Sequence, residues 1–143
     1  MSQIVGKFIA NGAVDLTTKV TGTLPTANGG TGMAVTGVSF ALTDGATPAL
    51  DASKGYVFTL TSTTNPTIAV PSNPTNYQKI TIIFTASGGS RTLALNSGAG
   101  GFSFGSDITG LTATPSGTTD YIGCQYNPTS SKWHVIAYAK GFT

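Results

Sequence analysis

Residues 120–139 read DYIGCQYNPTSSKWHVIAYA, and this stretch decides the fold class. Two runs rich in β-branched and aromatic residues, 120–126 and 132–139, flank the polar segment 127–131. Such runs are typical of strands, and a five-residue connection containing proline is typical of a hairpin loop. The stretch therefore predicts two neighbouring antiparallel strands.

The alternation of side chains orients the second of these strands. Trp133, Val135 and Ala137 are out of phase with His134, the only histidine of the chain. Because successive side chains of a strand point to opposite faces, we expect the first three to face the core. His134 would then face solvent or a neighbouring subunit. Cys124, the only cysteine, lies in mid-strand and is interpreted as a small core residue.

Further short strands precede the hairpin from residue 39 onward. The clearest is 79–85, KITIIFT, which places Ile80, Ile82 and Phe84 on one face. Short strands at a spacing of about 8–12 residues predict an all-β domain over 39–143, a β-sandwich or a jelly-roll-like fold. The other strands are expected at 39–42, 56–61, 67–70 and 91–95, with one more around 102–104 in a long loop.

The first 38 residues differ in composition from the rest. Residues 16–37 read LTTKVTGTLPTANGGTGMAVTG, in which the glycines weaken any helix or central strand. We therefore interpret 1–38 as an extended arm with turns that precedes the β-domain. A disordered tail is the alternative. Against it, apolar residues such as Phe8 and Ile9 need a surface on which to be buried.

Composition excludes several classes of protein. Charged residues make up only 8% of the chain, against roughly 25% in typical domains, which argues against a helical bundle or coiled coil. A hydrophobic content of 39% argues against wholesale disorder. The few basic residues are scattered, so we expect no nucleic-acid binding. No apolar run approaches the roughly 20 residues of a membrane span, so we expect no membrane insertion.

Catalytic and metal-binding motifs are not visible in the sequence. A Ser–His–Asp triad is formally possible with His134, but an ordinary strand histidine is the simpler interpretation. The five Asp residues lie beside turn residues and form no pair of the kind used in glycoside hydrolysis. One histidine and one cysteine supply too few of the usual ligands for a metal centre. The sequence therefore predicts a protein that is not an enzyme and has no cofactor.

Residues 20–32, VTGTLPTANGGTG, resemble the GTLP…ANGGTG element of fibre and other virion proteins of tailed bacteriophages. The later part of the chain resembles a β-domain that recurs in phage structural proteins. The matching stretches are KGYVFTLT (54–61), NPTNYQKIT (73–81), SRTL (90–93), TDYI (119–122), YN (126–127) and KWHVI (132–136). Together these cover most of residues 20–141.

The resemblance implies a non-enzymatic structural protein located in the virion. It would be a homotrimeric capsid-decorating protein or a head or tail fibre, anchored to other virion proteins, of the capsid or the tail, by the N-terminal arm. The arm residues expected to make this attachment are Ile4, Val5, Phe8, Ile9, Leu24 and Pro25.

The alternative is the receptor-binding tip of a short tail fibre that recognises a host surface glycan. Aromatic side chains exposed on the β-domain would then stack on sugar rings. The candidates are Tyr77, Phe102, Phe104 and Tyr121, for which packing in the core or in a trimer seam is the other interpretation. A depolymerase or peptidase fragment is disfavoured because neither paired carboxylates nor a credible triad is visible.

Overall fold

The computed structural model of the protein describes residues 39–143, which form eight β-strands and one turn of 3₁₀ helix, Ala52–Lys54. The predicted all-β class is confirmed. Among these residues, no helix is long and apolar enough to cross a membrane. The predicted arm at 1–38 lies outside the described residues. The strands are β1 (Phe40–Ala41), β2 (Val57–Ser62), β3 (Thr67–Ile68), β4 (Lys79–Ala86), β5 (Ala94–Leu95), β6 (Phe102–Ser103), β7 (Thr119–Asn127) and β8 (Lys132–Phe142).

Six of the strands form one mixed sheet in the order β1-β2-β4-β7-β8-β6. β1, β2 and β4 run parallel to one another, β7 is antiparallel to both β4 and β8, and β6 is parallel to β8. The predicted hairpin is confirmed. Its loop is four residues, 128–131, because Asn127 already pairs with Lys132. The Thr129 amide donates to the Asn127 side chain, and this local bond shapes the turn.

A second, smaller layer carries the chain between the parallel strands of the main sheet. β3 and β5 form a two-stranded parallel sheet. The segment 46–51 lies on the other side of β3, since the Thr67 amide donates to the Ala46 carbonyl at 2.9 Å. A crossover between parallel strands is usually a helix. Here extended chain makes it instead, so the domain stays all-β.

The core lies on one face of the six-stranded sheet and is shared with the smaller layer. The predicted alternation in β4 is confirmed, because Ile80, Ile82 and Phe84 are all buried. Ile68 of β3 and Leu95 of β5 belong to the same apolar cluster. Burial of each such side chain contributes about 1.5–3 kcal/mol before ordering costs. The largest buried side chains are those of Trp133, Phe58, Phe84 and Phe102.

A β-bulge in β8 reverses the predicted alternation halfway along the strand. Trp133 and Val135 are buried as expected, but the expectation for Ala137 is wrong, since Ala137 is exposed. Val135 pairs with Cys124 and Ala137 with Gly123, so Ile136 is the extra residue. The bulge leaves the Ile136 side chain 53% exposed and turns Tyr138 towards the core side.

Candidate functional site

The face of the six-stranded sheet opposite the core, here termed the outer face, is almost free of charge. Strand register places its residues in rows, and one row runs from Thr59 through Ile83 and Tyr121 to Ala139. Lys79, at one end of β4, and Lys132, beside the hairpin turn, are the charged residues in these rows. The remaining rows are Thr61, Thr85, Thr119 and Phe142, then Val57, Thr81, Gly123 and Ala137, then Lys79, Gln125, His134 and Ser103, and finally Asn127 and Lys132.

An apolar patch occupies one end of the outer face. The rings of Tyr121 and Phe142 meet edge to face, with centroids 5.2 Å apart. Both side chains are exposed, at 39% and 52%. Ile83 lies opposite Tyr121 on β4, and Ala139 lies opposite it on β8. These four residues are called the Tyr121 patch, and apolar patches of this kind mark interaction surfaces.

Two shallow grooves lie at the other end of the outer face, beside the β7–β8 hairpin. The first, with a volume of about 210 Å³, is called the Tyr77 groove. The second, of about 280 Å³, is called the Phe104 groove. His134 and Ile136 line both and form the ridge between them. The Tyr77 groove is completed by Tyr77, Gln125, Tyr126 and Asn127, and the Phe104 groove by Ser103, Phe104, Gly105 and Val135.

Backbone contacts hold Tyr77 outward at the rim of its groove. Its φ is +61°, in the left-handed region that a residue with a bulky side chain rarely adopts. The Gln125 Nε2 donates to the Tyr77 carbonyl at 3.3 Å. The neighbouring Gln78 side chain is buried and donates to the Ala52 carbonyl at 2.7 Å. With residue 78 fixed inward, the Tyr77 side chain is 66% exposed.

A tight glycine loop positions the Phe104 groove. A Cβ on Gly101 would clash with the Asn96 carbonyl oxygen, so only glycine fits there. The Lys132 ammonium donates to the carbonyls of Ser97 (2.7 Å) and Gly98 (2.6 Å) and closes the same loop. These contacts bring β6 alongside β8. The glycine cluster at 98–101, which has no nucleotide-binding spacing, therefore has a structural role.

The structure separates the four aromatic residues proposed from the sequence. Tyr77 and Tyr121 are exposed as expected. For Phe102 the other interpretation, packing in the core, is confirmed, because its side chain is 1% exposed and β6 pairs with β8 at Trp133. Phe104 is half-buried against the core and offers part of its surface to a groove. The six arm residues proposed for attachment, Ile4, Val5, Phe8, Ile9, Leu24 and Pro25, lie outside the described part of the chain.

Most groove residues other than Tyr77 and Phe104 were not proposed from the sequence as ligand contacts. Gln125 and Asn127 are polar residues near the end of β7, and Ile136 is the bulge residue of β8. Gln125 and His134 alternate with buried neighbours along their strands. This alternation could have placed Gln125 on the outer face. Nothing in the sequence signals the bulge, and therefore nothing places Ile136.

His134 contacts a serine across the hairpin turn. Its Nε2 lies 3.1 Å from the Ser130 hydroxyl oxygen. A nucleophile–base pair needs such a contact, and it also needs a third group to orient the base. Within residues 39–143, no carboxylate is hydrogen-bonded to His134, and no group of three His, Cys, Asp or Glu side chains could hold a metal. Of this pair, His134 lines both grooves.

Cys124 lies beneath the outer face, on the core side of β7. Burial raises the pKa of its thiol to about 12, so the thiolate is scarce near neutral pH. Its interpretation as a core residue is confirmed by an exposed fraction of 1%.

Comparison with protein-family models, with curated protein sequences and with solved structures found no match to this chain.

Proposed function

We propose that the protein is a non-enzymatic structural component of a tailed-bacteriophage virion. It acts as a homotrimeric capsid-decorating protein or as a head or tail fibre, and residues 1–38 attach it to other virion proteins. The phage assignment is supported by the resemblance of residues 20–32, GTLPTANGGTG and its flank. Self-association is supported by the uncharged outer face with its exposed Tyr121 patch.

The outer face carries this proposal. Packing charged groups against a partner costs desolvation energy, which often exceeds the Coulombic gain. Along the rows of the outer face only Lys79 and Lys132, both at the hairpin end, are charged, and threonine, alanine, isoleucine and aromatic side chains make up most of the rest. A second copy of the chain can therefore cover the Tyr121 patch at little electrostatic cost.

The same proposal includes a finer description of the fold. The main sheet and the layer of β3, β5 and segment 46–51 share one core, which supports a two-layered β-sandwich. In such a domain one face of the larger sheet is covered within the chain. The other face is left for contacts with further copies.

Particles that lack the protein test the attachment role. The full chain carrying both Phe8→Ser and Ile9→Ser should bind them more weakly than the wild type does. Each side chain is worth about 1.5–3 kcal/mol when buried, and three linked arms act together. The matched control carries Thr17→Ser and Thr18→Ser in the same segment and should bind normally.

The melting temperature of each variant completes the experiment. Weakened attachment with an unchanged melting temperature would support an anchoring arm. Wild-type occupancy of the particle by the Phe8→Ser and Ile9→Ser variant, or a collapse of its melting temperature, would contradict it. The copy number per particle then separates the two locations, because hundreds of copies indicate capsid decoration and a few indicate a fibre.

A second candidate function is supported by the grooves beside the hairpin. A receptor-binding tip needs exposed aromatic and hydrogen-bonding groups that converge on a ligand. The Tyr77 groove and the Phe104 groove supply both. In this alternative the virion location is the same, and the domain recognises a glycan of the host surface.

A further inference from the structure

We propose that the Tyr77 groove and the Phe104 groove together form a binding site for an uncharged saccharide, with one sugar unit on each side of the His134–Ile136 ridge. This inference deepens the receptor-binding candidate and rests on it only for the source of the sugar. It assigns the ligand class and the residues that contact it.

The absence of charge in the lining selects the class of ligand. No Lys, Arg, Asp or Glu is among the residues that line the two grooves. Lys79 lies only beside the lining, opposite Gln125, and the nearby Lys132 ammonium is bound to the carbonyls of Ser97 and Gly98. A neutral ligand needs no counter-ion, and it can leave water without a large cost where the groove replaces its hydrogen bonds. The lining itself therefore favours a neutral ligand.

An aromatic side chain at each outer wall fits the apolar faces of sugar rings. The Tyr77 ring stands at the rim of one groove and is two-thirds exposed. Phe104 lines the other groove, with its remaining surface packed against the core. Each ring combines a flat apolar face with little conformational freedom, which makes stacking inexpensive in entropy.

Polar atoms with free hydrogen-bonding capacity lie between the two rings. The Gln125 Nε2 is directed to the Tyr77 carbonyl, which leaves Oε1 as an acceptor for a hydroxyl group. His134 uses Nε2 towards Ser130, which leaves Nδ1. The Asn127 Oδ1 accepts from Thr129, which leaves the Nδ2 amide as a donor. Sugar hydroxyls both donate and accept, so they can satisfy all three.

The backbone at Tyr77 gives an independent indication of function. A φ of +61° costs stability for any residue with a side chain, and glycine would adopt it freely. Tyrosine at this position therefore carries a backbone cost that glycine would avoid. Strained residues that persist in a well-packed frame are concentrated at ligand sites.

The saccharide site and the self-association surface do not compete for the same residues. Gln125 and His134 lie in a row close to the hairpin, and the Tyr121 patch lies two to three rows away. A trimer formed through the patch would keep both grooves at its margin. Three copies would then present three sites, and avidity would compensate for weak single-site binding.

The experiment uses the full chain, labelled with ¹⁵N, and five probes at millimolar concentration. Four are neutral: methyl α-glucoside, methyl α-mannoside, methyl β-galactoside and N-acetylglucosamine. The fifth, N-acetylneuraminic acid, is charged. We expect at least one neutral probe to shift the amide resonances of Tyr77, Gln125 and His134 together. Shifts from the charged probe alone, shifts elsewhere, or none from any probe would overturn the proposal.

Two variants keep the result independent of folding. Tyr77→Gly removes the ring and suits the left-handed backbone, so its melting temperature should be equal to or above that of the wild type. Its affinity for the active probe should fall about threefold to tenfold. Tyr56→Ser removes another exposed tyrosine, outside both grooves, and should bind as the wild type does.

An equal loss of affinity for the probe in both variants, or no loss of affinity in Tyr77→Gly, would refute the proposed saccharide site. None of these measurements uses a particle. A failure of the Phe8→Ser and Ile9→Ser attachment test would therefore leave this result intact, and a failure here would leave the structural role intact.

Discussion

The Tyr138 hydroxyl donates a hydrogen bond of 3.0 Å to Oδ2 of Asp120, a carboxylate that is only 2% exposed. The same oxygen accepts from the Thr114 hydroxyl at 2.7 Å, and Oδ1 accepts from the Gly141 amide at 2.9 Å. Three neutral donors thus satisfy one buried charge. The bulge at Ile136 makes the arrangement possible, because it turns Tyr138 to the side on which Asp120 lies.

Asp120 should consequently be a large single contributor to stability. Asp120→Ala leaves the Thr114 hydroxyl and the Gly141 amide without their acceptor, whereas the Tyr138 hydroxyl can still donate to the Thr112 carbonyl at 3.2 Å. We expect the free energy of unfolding to fall by about 3 kcal/mol. Asp120→Asn keeps one acceptor oxygen and should cost less. Urea denaturation measures both. Asp107→Ala, at an exposed loop position, is the control and should lie within about 0.5 kcal/mol of the wild type. A change of that small size in Asp120→Ala would show that the network is not stabilising.

Two exposed carboxylates should make the domain sensitive to acid. A hydrogen bond from Ser62, followed by one from the Thr63 amide, lowers the pKa of Asp44 below 3.8. Hydrogen bonds from Asn73 and Ser53 lower the pKa of Asp51 in the same way. A lowered pKa means that the folded state favours the ionised form. The stabilisation is therefore present when the pH is above the pKa of the unfolded state. It is lost as the pH falls through the lowered pKa of the folded state.

Thermal unfolding followed from neutral pH down through the carboxyl range checks this expectation. The melting temperature of the wild type should fall at the acid end. Asp44→Asn and Asp51→Asn should each start lower at neutral pH and show a flatter acid limb. Asp107→Asn serves as the comparison and should follow the wild-type curve. If Asp44→Asn and Asp51→Asn both lost as much melting temperature at acid pH as the wild type does, these two carboxylates would not be the cause of the acid sensitivity.

Sequence alone predicted the inner face of the sheet better than its edges. The alternation of Ile80, Ile82 and Phe84 is a direct consequence of strand geometry, and the structure follows it. The parallel pairing of β2 with β4 depends on a crossover made of extended chain, for which no local pattern is diagnostic. For Phe102 the sequence left exposure and core packing both open for a related reason, since a two-residue strand within a glycine loop has no periodicity to indicate its buried side.

The candidate site was predictable only in part. Tyr77 and Phe104 could be proposed from their residue type. That the two residues line grooves on either side of the His134–Ile136 ridge depends on the bulge at Ile136 and on the left-handed backbone at Tyr77. Both are backbone irregularities at which neighbouring packing overrides local preference, and a non-glycine residue with positive φ carries no sequence signal.

Gly101 should be indispensable to the Phe104 groove. Any side chain there meets the backbone carbonyl of Asn96, which cannot move without breaking its hydrogen bond from the Phe102 amide. Gly101→Ala should lower the free energy of unfolding by about 2–4 kcal/mol. Gly105→Ala is the matched control, since nothing lies within 4 Å of the added methyl group. Urea unfolding of both variants tests this, and equal stability would show that the loop yields easily.

A lysine in the Tyr121 patch tests the proposed self-association. Ile83 lies in the row between Thr59 and Tyr121, where its half-buried side chain faces outward. If copies of the chain meet through this patch, Ile83→Lys brings like charges together in a surface with no acidic partner and adds the cost of their desolvation. Within one copy, the lysine stem can lie along the sheet with its ammonium in water, so the fold is preserved.

Sedimentation equilibrium at micromolar concentration should give a trimer for the wild type and 14.4 kDa for the variant, with identical far-ultraviolet circular dichroism. Thr109→Lys adds the same charge at an exposed loop position and should remain trimeric. Equal masses for the wild type and Ile83→Lys would exclude the Tyr121 patch as the contact between copies.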